Sequence, residues 1–170
     1  MLNHDLAVEQ IPVADLRTYT GNPRSGDVEA IAASLRTNGQ YRPLVVNKGT
    51  YTGKPNEVLA GNHTLMAARD LGWPTVAVTY LDVDDDQARR ILLADNRTSQ
   101  LGTFDNAALA ELLQDTPDLT GTGYSQEDLG RLLDSEVGDR KPEEFPEYDE
   151  NLETQYRCPK CSYEWSGKAS

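Results

Sequence analysis

Residues 57–81 read EVLAGNHTLMAARDLGWPTVAVTYL, and this run constrains the fold more than any other. The apolar segment EVLA stops at Gly61, and the polar triplet Asn62, His63 and Thr64 follows. A helical pattern, TLMAARDLG, begins at once and closes on Gly72. TVAVTYL then alternates Val76, Val78 and Tyr80 as a half-buried strand does. The order is strand, tight turn, helix, strand. The apolar faces of such elements must be buried against one another in layers.

The flanking sequence extends the pattern. DVEAIAASLRTNG places Val28, Ile31, Ala32 and Leu35 on one helix face, with Gly39 as the stop. RPLVVN reads as a short strand. DDDQARRILLADNRTSQLG opens with Asp84 as N-cap and Gln87 three residues on, a capping-box pattern, and Ala88, Ile91 and Leu92 form its buried face. Two more helices are predicted, DNAALAELLQ capped by Asp105 and SQEDLGRLLDS capped by Ser125. Beyond Ser135 the periodicity dissolves into an acidic, proline-bearing segment, which reads as a linker. The expected organisation is an α+β domain over residues 1–133, with a small mixed sheet and surrounding helices. An acidic linker over 134–153 and a short knuckle over 154–170 follow.

Charge limits the function. Residues 1–133 carry 18 acids and 11 bases, a net −7, and the whole chain carries −12. Proteins that grip nucleic acid through phosphates usually carry a basic excess. Strong non-specific DNA binding is therefore not expected, unless arginines cluster locally. The hydrophobic fraction of 38% is low for a packed domain and implies that part of the chain lies outside the core. No apolar window of about 18 residues exists, so no membrane span is expected. The N-terminal stretch MLNHDLAVEQIPV lacks the basic and apolar regions of a secretory signal. A cytoplasmic protein is expected.

Two places carry candidate chemistry. The first helical amides lack intrahelical partners, and the helix dipole favours anions there. A glycine at the strand exit lets backbone approach a ligand closely. Gly61, Asn62, His63 and Thr64 thus suit a phosphate, although Thr64 could equally be a plain N-cap with His63 on the surface. On the long helix, the face at 88, 91 and 92 calls for an apolar residue at 95, but Asp95 stands there, followed by Asn96 and Arg97. Asp and Asn suit Mg²⁺, and Arg suits phosphate. The alternative is that the helix ends near Ala94 and DNR is a solvated cap.

The ordered motifs IPVADL, NPR, GQYRPLVV, EVLAGNHTLMAARDLGW and LADNRTSQLGTFD resemble the N-terminal domain of ParB-like proteins, in the ParB/sulfiredoxin superfamily, over about residues 9–133. The versions they look most like are found in phages and beside DNA methyltransferases. The resemblance implies a nucleoside triphosphate, CTP or ATP with Mg²⁺, cradled by Gly61, Asn62, His63 and Thr64. By the same resemblance Asp95 and Asn96 are similar to an acidic-Asn pair that holds Mg²⁺. Arg97 departs in spacing from the matching arginine. Gly39, Gln40, Tyr41, Arg42 and Pro43 are similar to a stretch beside the nucleotide, and Arg24 falls where an active-site residue often lies.

Departures narrow the function. His63 and Thr64 replace the paired arginines of partitioning proteins, and no helix-turn-helix reader is recognisable after residue 133, so partitioning itself is not expected. Asn62 stands where sulfiredoxins carry the catalytic cysteine, which excludes sulfinic acid reduction. The expected function is a nucleotide hydrolase or switch in DNA-related processes, phage-encoded by resemblance. The rivals are a metal-dependent nuclease using Asp95 with His63, and a non-enzymatic adaptor or accessory of a DNA-modifying enzyme.

YRCPKCSYEW resembles half of a zinc ribbon. Structural zinc takes four ligands, and Cys158 and Cys161 are the only cysteines. The options are a metal shared between two chains in a homodimer, a degenerate ribbon, or no metal.

Overall fold

The computed structural model describes residues 6–138 and 156–165. The chain divides into two units, Met1–Asp134 and Ser135–Ser170. The expected linker falls mostly on residues 139–153, outside the described residues, as does His4.

The first unit is built on five strands: β1 (Val8–Pro12), β2 (Arg17–Thr18), β3 (Leu44–Asn47), β4 (Glu57–Ala60) and β5 (Thr75–Leu81). Their spatial order is β1-β5-β3-β4-β2. The sheet is mixed: β1 runs antiparallel to β5, β5 parallel to β3, β3 antiparallel to β4 and β4 parallel to β2. Among the described residues the α-helices are α1 (Val28–Asn38), α2 (Asn62–Asp70), α3 (Asp85–Leu101), α4 (Asn106–Gln114) and α5 (Gln126–Gly138), the last reaching past the end of the first unit. The α+β expectation holds, and the three central strands fall where the apolar runs place them. β1 and β2 carry no such signal. β1 is exposed along most of its length, so no alternation marks it, and β2 is two residues long.

Both faces of the sheet are covered. On one, Leu44, Val46, Val58, Val76 and Val78 pack with Leu35 of α1 and Leu65 of α2. On the other, Leu59 and Leu81 pack with Val83 and Ala88 at the start of α3. That is why Thr79 and Leu81 are buried as well as Val76 and Val78, where the sequence pattern implied one wet face. Buried Asn47 staples the layers: its side chain donates to Val83 O (3.0 Å) and accepts from Val83 N–H (3.2 Å).

The helix starts behave as their sequences require. Asp27, Asp84 and Asp105 each accept a hydrogen bond from the third amide on. At α5 the Asp128 amide donates to Ser125 Oγ while the Ser125 amide donates to the Asp128 carboxylate. Two boundaries differ from the sequence reading. α2 starts at Asn62, so Gly61 and not Thr64 is its N-cap. α3 runs through Asp95, Asn96 and Arg97 to Leu101, so DNR is not a terminal cap. Among the described residues no helix is long and apolar enough to cross a membrane.

The second unit contains a hairpin of β6 (Tyr156–Arg157) and β7 (Glu164–Trp165), paired antiparallel.

Candidate functional site

The site forms where β4 hands over to α2. Gly61 has φ +91°, in the left-handed region, and a Cβ there would lie 2.5 Å from Leu44 Cδ2. Only glycine meets both demands. No side chain caps α2. The first-turn amides therefore open into the cleft beside Gly61, at the positive end of the helix dipole.

That cleft encloses about 300 Å³ between α1, α2, α3 and the loop carrying Asn22 and Arg24. Gly61, Asn62, His63, Thr64, Asp95, Asn96, Arg24 and Arg42 all line it. The strand–turn–helix junction and the odd polar patch on α3, separate in sequence, are therefore two walls of one cavity. Gln40 lines an adjoining hollow of about 230 Å³ that shares Arg42, Gly61 and Thr64 with the first. Arg97 is exposed and lines neither.

The hydrogen bonds sort these residues into holders and donors. Asn62 is buried, 6% exposed. Its side chain accepts from Tyr19 N–H (2.7 Å) and donates to Val58 O (3.1 Å). Only its main-chain amide remains to meet a ligand. Gln40 is likewise spent: it donates to Ala77 O (2.9 Å) and accepts from Ala77 N–H (2.7 Å), continuing the edge of β5 where β3 begins.

His63 accepts from Gly26 N–H through Nε2 (3.0 Å). That bond requires an unprotonated Nε2, which puts the proton of a neutral imidazole on Nδ1. In this arrangement His63 can donate to an anion from Nδ1 but has no free nitrogen to take a proton from water. Gly26 is needed for the contact, since a Cβ there would lie 2.8 Å from His63 Cγ.

The Asn22–Gly26 loop is latched to α3 as well. Asn96 donates to Asn22 Oδ1 (3.1 Å), and Arg24 donates to Ser99 Oγ. Asp95 pairs with Arg42 at 3.5 Å, with the Arg42 side chain 71% exposed. An exposed pair at that distance is worth little, so either partner can turn to a ligand. Asn22, Gly26 and Ser99 were not singled out from the sequence. The run TGNPRSGD, with a glycine on either side of NPRS, marks a loop but not what it touches.

Among the described residues no group of three or more His, Cys, Asp or Glu side chains is arranged to hold a metal. Mg²⁺ on a triphosphate needs less, since one or two protein oxygens complete a shell otherwise built from phosphate and water. Asp95 and Asn96 fit that requirement. Asn96 uses its NH₂ group on Asn22, which points its carbonyl oxygen elsewhere.

In the second unit Cys158 and Cys161 are free thiols. The backbone amides of Cys161 and Lys160, with the Cys161 side chain, hold the Cys158 thiol below its ordinary pKa.

Comparison with known proteins decides the family. The ParB N-terminal domain model matches residues 2–97, more than half of the chain. This protein belongs to the ParB N-terminal domain family. Nucleoid occlusion proteins of Bacillus cereus and Bacillus mycoides are each 25% identical to it over 124 residues, covering 70% of this chain and 42% of the relative. The chain thus spans less than half the length of these relatives. Its fold is similar to that of the C-terminally truncated chromosome-partitioning protein ParB from Caulobacter crescentus, solved with CTP-gamma-S. The TM-score is 0.56 at 20% identity, covering 75% of this chain and 71% of that one. Sulfiredoxin from Arabidopsis thaliana aligns at a TM-score of 0.41 and 24% identity, over 51% of this chain and 97% of its own.

Proposed function

We propose that this ParB-family domain binds a nucleoside triphosphate, CTP or ATP with Mg²⁺, in the cleft beside Gly61. The observation that carries the reading is the uncapped start of α2, reached through a left-handed glycine and facing two arginines across the cleft. The phosphates lie on the amides of Asn62, His63 and Thr64, where the helix dipole favours them. His63 adds a donor from Nδ1, and Arg24 and Arg42 supply charge. Mg²⁺, held by Asp95 and Asn96, neutralises the phosphate oxygens. The fold neighbour solved with a CTP analogue supports this choice of ligand class.

Binding outranks turnover in this reading. Hydrolysis needs a base for the attacking water, and His63 Nε2 is already engaged with Gly26 while Asp95 is given to Mg²⁺ in this reading. The His63 contact also counts against the nuclease reading, as does the net charge of −7 over residues 1–133. The domain acts as a nucleotide-responsive switch in DNA-related processes, consistent with the names of its relatives. A cytoplasmic setting suits both the triphosphate and the free thiols.

A thermal-shift panel of the four ribonucleoside triphosphates, with and without Mg²⁺, tests the ligand. Stabilisation by CTP or ATP that grows with Mg²⁺ is expected. Equal stabilisation by inorganic sulfate would reduce the site to a plain anion hole.

A further inference from the structure

The cysteine hairpin is already shaped for a soft metal. Cys158 N–H donates to Tyr163 O (2.8 Å) and Ser162 N–H to Cys158 O (2.9 Å), so residues 158–163 form one tight turn. Ser162 closes it at φ +62°, the left-handed region. The turn sets Cys158 and Cys161 three residues apart. Thiolate pairs select Zn²⁺ over harder divalent ions, and structural zinc takes four ligands in a tetrahedron.

Each chain holds two cysteines. Of its two histidines, His63 is engaged with Gly26 in the other unit. Two further thiolates come most simply from a second copy of the same turn. A two-fold axis through the metal gives four sulfurs in two equivalent pairs, and two-fold dimers are the commonest assemblies.

Two other features fit that occupant. Four thiolates on one Zn²⁺ leave a net −2 on the cluster. Residues 154–170 carry three bases and one acid, a local +2 in an otherwise acidic chain. Beside the turn, Tyr156 and Tyr163 stack with Trp165 at ring separations of 5.8 and 6.3 Å. Tyr163 is 69% exposed, a large aromatic surface for a two-stranded hairpin to leave in water. A lone hairpin of this size is marginal, and metal binding supplies folding energy.

We propose that Cys158 and Cys161 bind one Zn²⁺ between two copies of this chain, so that the metal joins them. Each thiol that ligates gives up its proton to solvent, and no redox change is involved. The proposal does not rest on nucleotide binding.

The test uses the full chain under reducing conditions, titrated with Zn²⁺ and followed by native mass spectrometry and sedimentation. Uptake should saturate at one metal per two chains, with dimers that a chelator returns to monomers. Co²⁺ in place of Zn²⁺ should give the absorption of a tetrahedral thiolate site at the same stoichiometry, a readout on the unmutated chain. Cys158→Ser and Cys161→Ser should each lose metal and dimer together while the thermal shift with triphosphate is unchanged. Saturation at one metal per chain, no uptake, or metal retained at full stoichiometry in Cys158→Ser overturns the proposal.

Discussion

At Gly61 a methyl group would have nowhere to go, because Leu44 occupies the space and the backbone is left-handed. Gly61→Ala should cost about 1–3 kcal/mol of stability. Denaturant unfolding measures that loss, and nucleotide affinity should fall with it as the amides of α2 shift. His63 makes a sharper test. As a phosphate donor its loss should weaken binding roughly tenfold to a hundredfold. Any turnover of bound nucleotide should stay unchanged in His63→Ala, since Nε2 is committed to Gly26. A rate falling about a hundredfold with affinity kept would instead make His63 a general base. The sequence marked His63 as chemically interesting because it sits at a helix start. It could not show the Gly26 contact, made across 37 positions, which decides the tautomer and so the role.

Among the elements, α3 was the most legible and also the most ambiguous. Its cap, its start and its buried Ala88 and Leu92 follow from spacing alone. Whether it continued past Ala94 did not, because Asp95 on the core face looks the same in sequence as the end of a helix. It continues because that face leaves the core and becomes the wall of the cleft, where a carboxylate is solvated and paired with Arg42. Asn47 joins β3 to the entry of α3, and Asn47→Ala strands the Val83 main chain in a buried place. We expect a loss of about 1–3 kcal/mol in thermal or denaturant unfolding. The acidic helix starts set a pH dependence. Arg90 holds the Asp86 carboxyl below its ordinary pKa, and hydrogen bonds from Ser125 do so for Asp128. Lowered folded-state values mean these contributions are complete above the unfolded carboxylate pKa of about 3.9 and fade as pH falls through the lower folded values. Melting temperature followed across acid titration should show no change from Asp86 or Asp128 between neutrality and about pH 5. Asp128→Asn should flatten part of the loss seen below about pH 4.

For the whole molecule, the fold class and family motifs were readable because they depend on local order: strand, glycine turn, helix, strand. The edge strands were not, since β1 earns its place by pairing with β5 from Val8↔Thr79 to Pro12↔Thr75 and not by burying a face. The acidic balance was legible from composition and still governs the account, since a domain at net −7 admits a compact anion only where amides and arginines are focused. The cleft beside Gly61 is such a place. Isothermal titration of the full chain with CTP and ATP in the presence of Mg²⁺ tests this most directly. One site per chain with millimolar or tighter affinity, weakened in Gly61→Ala and in Arg42→Ala, is the result predicted. No heat and no stabilisation with any of the four triphosphates at millimolar concentration would contradict it.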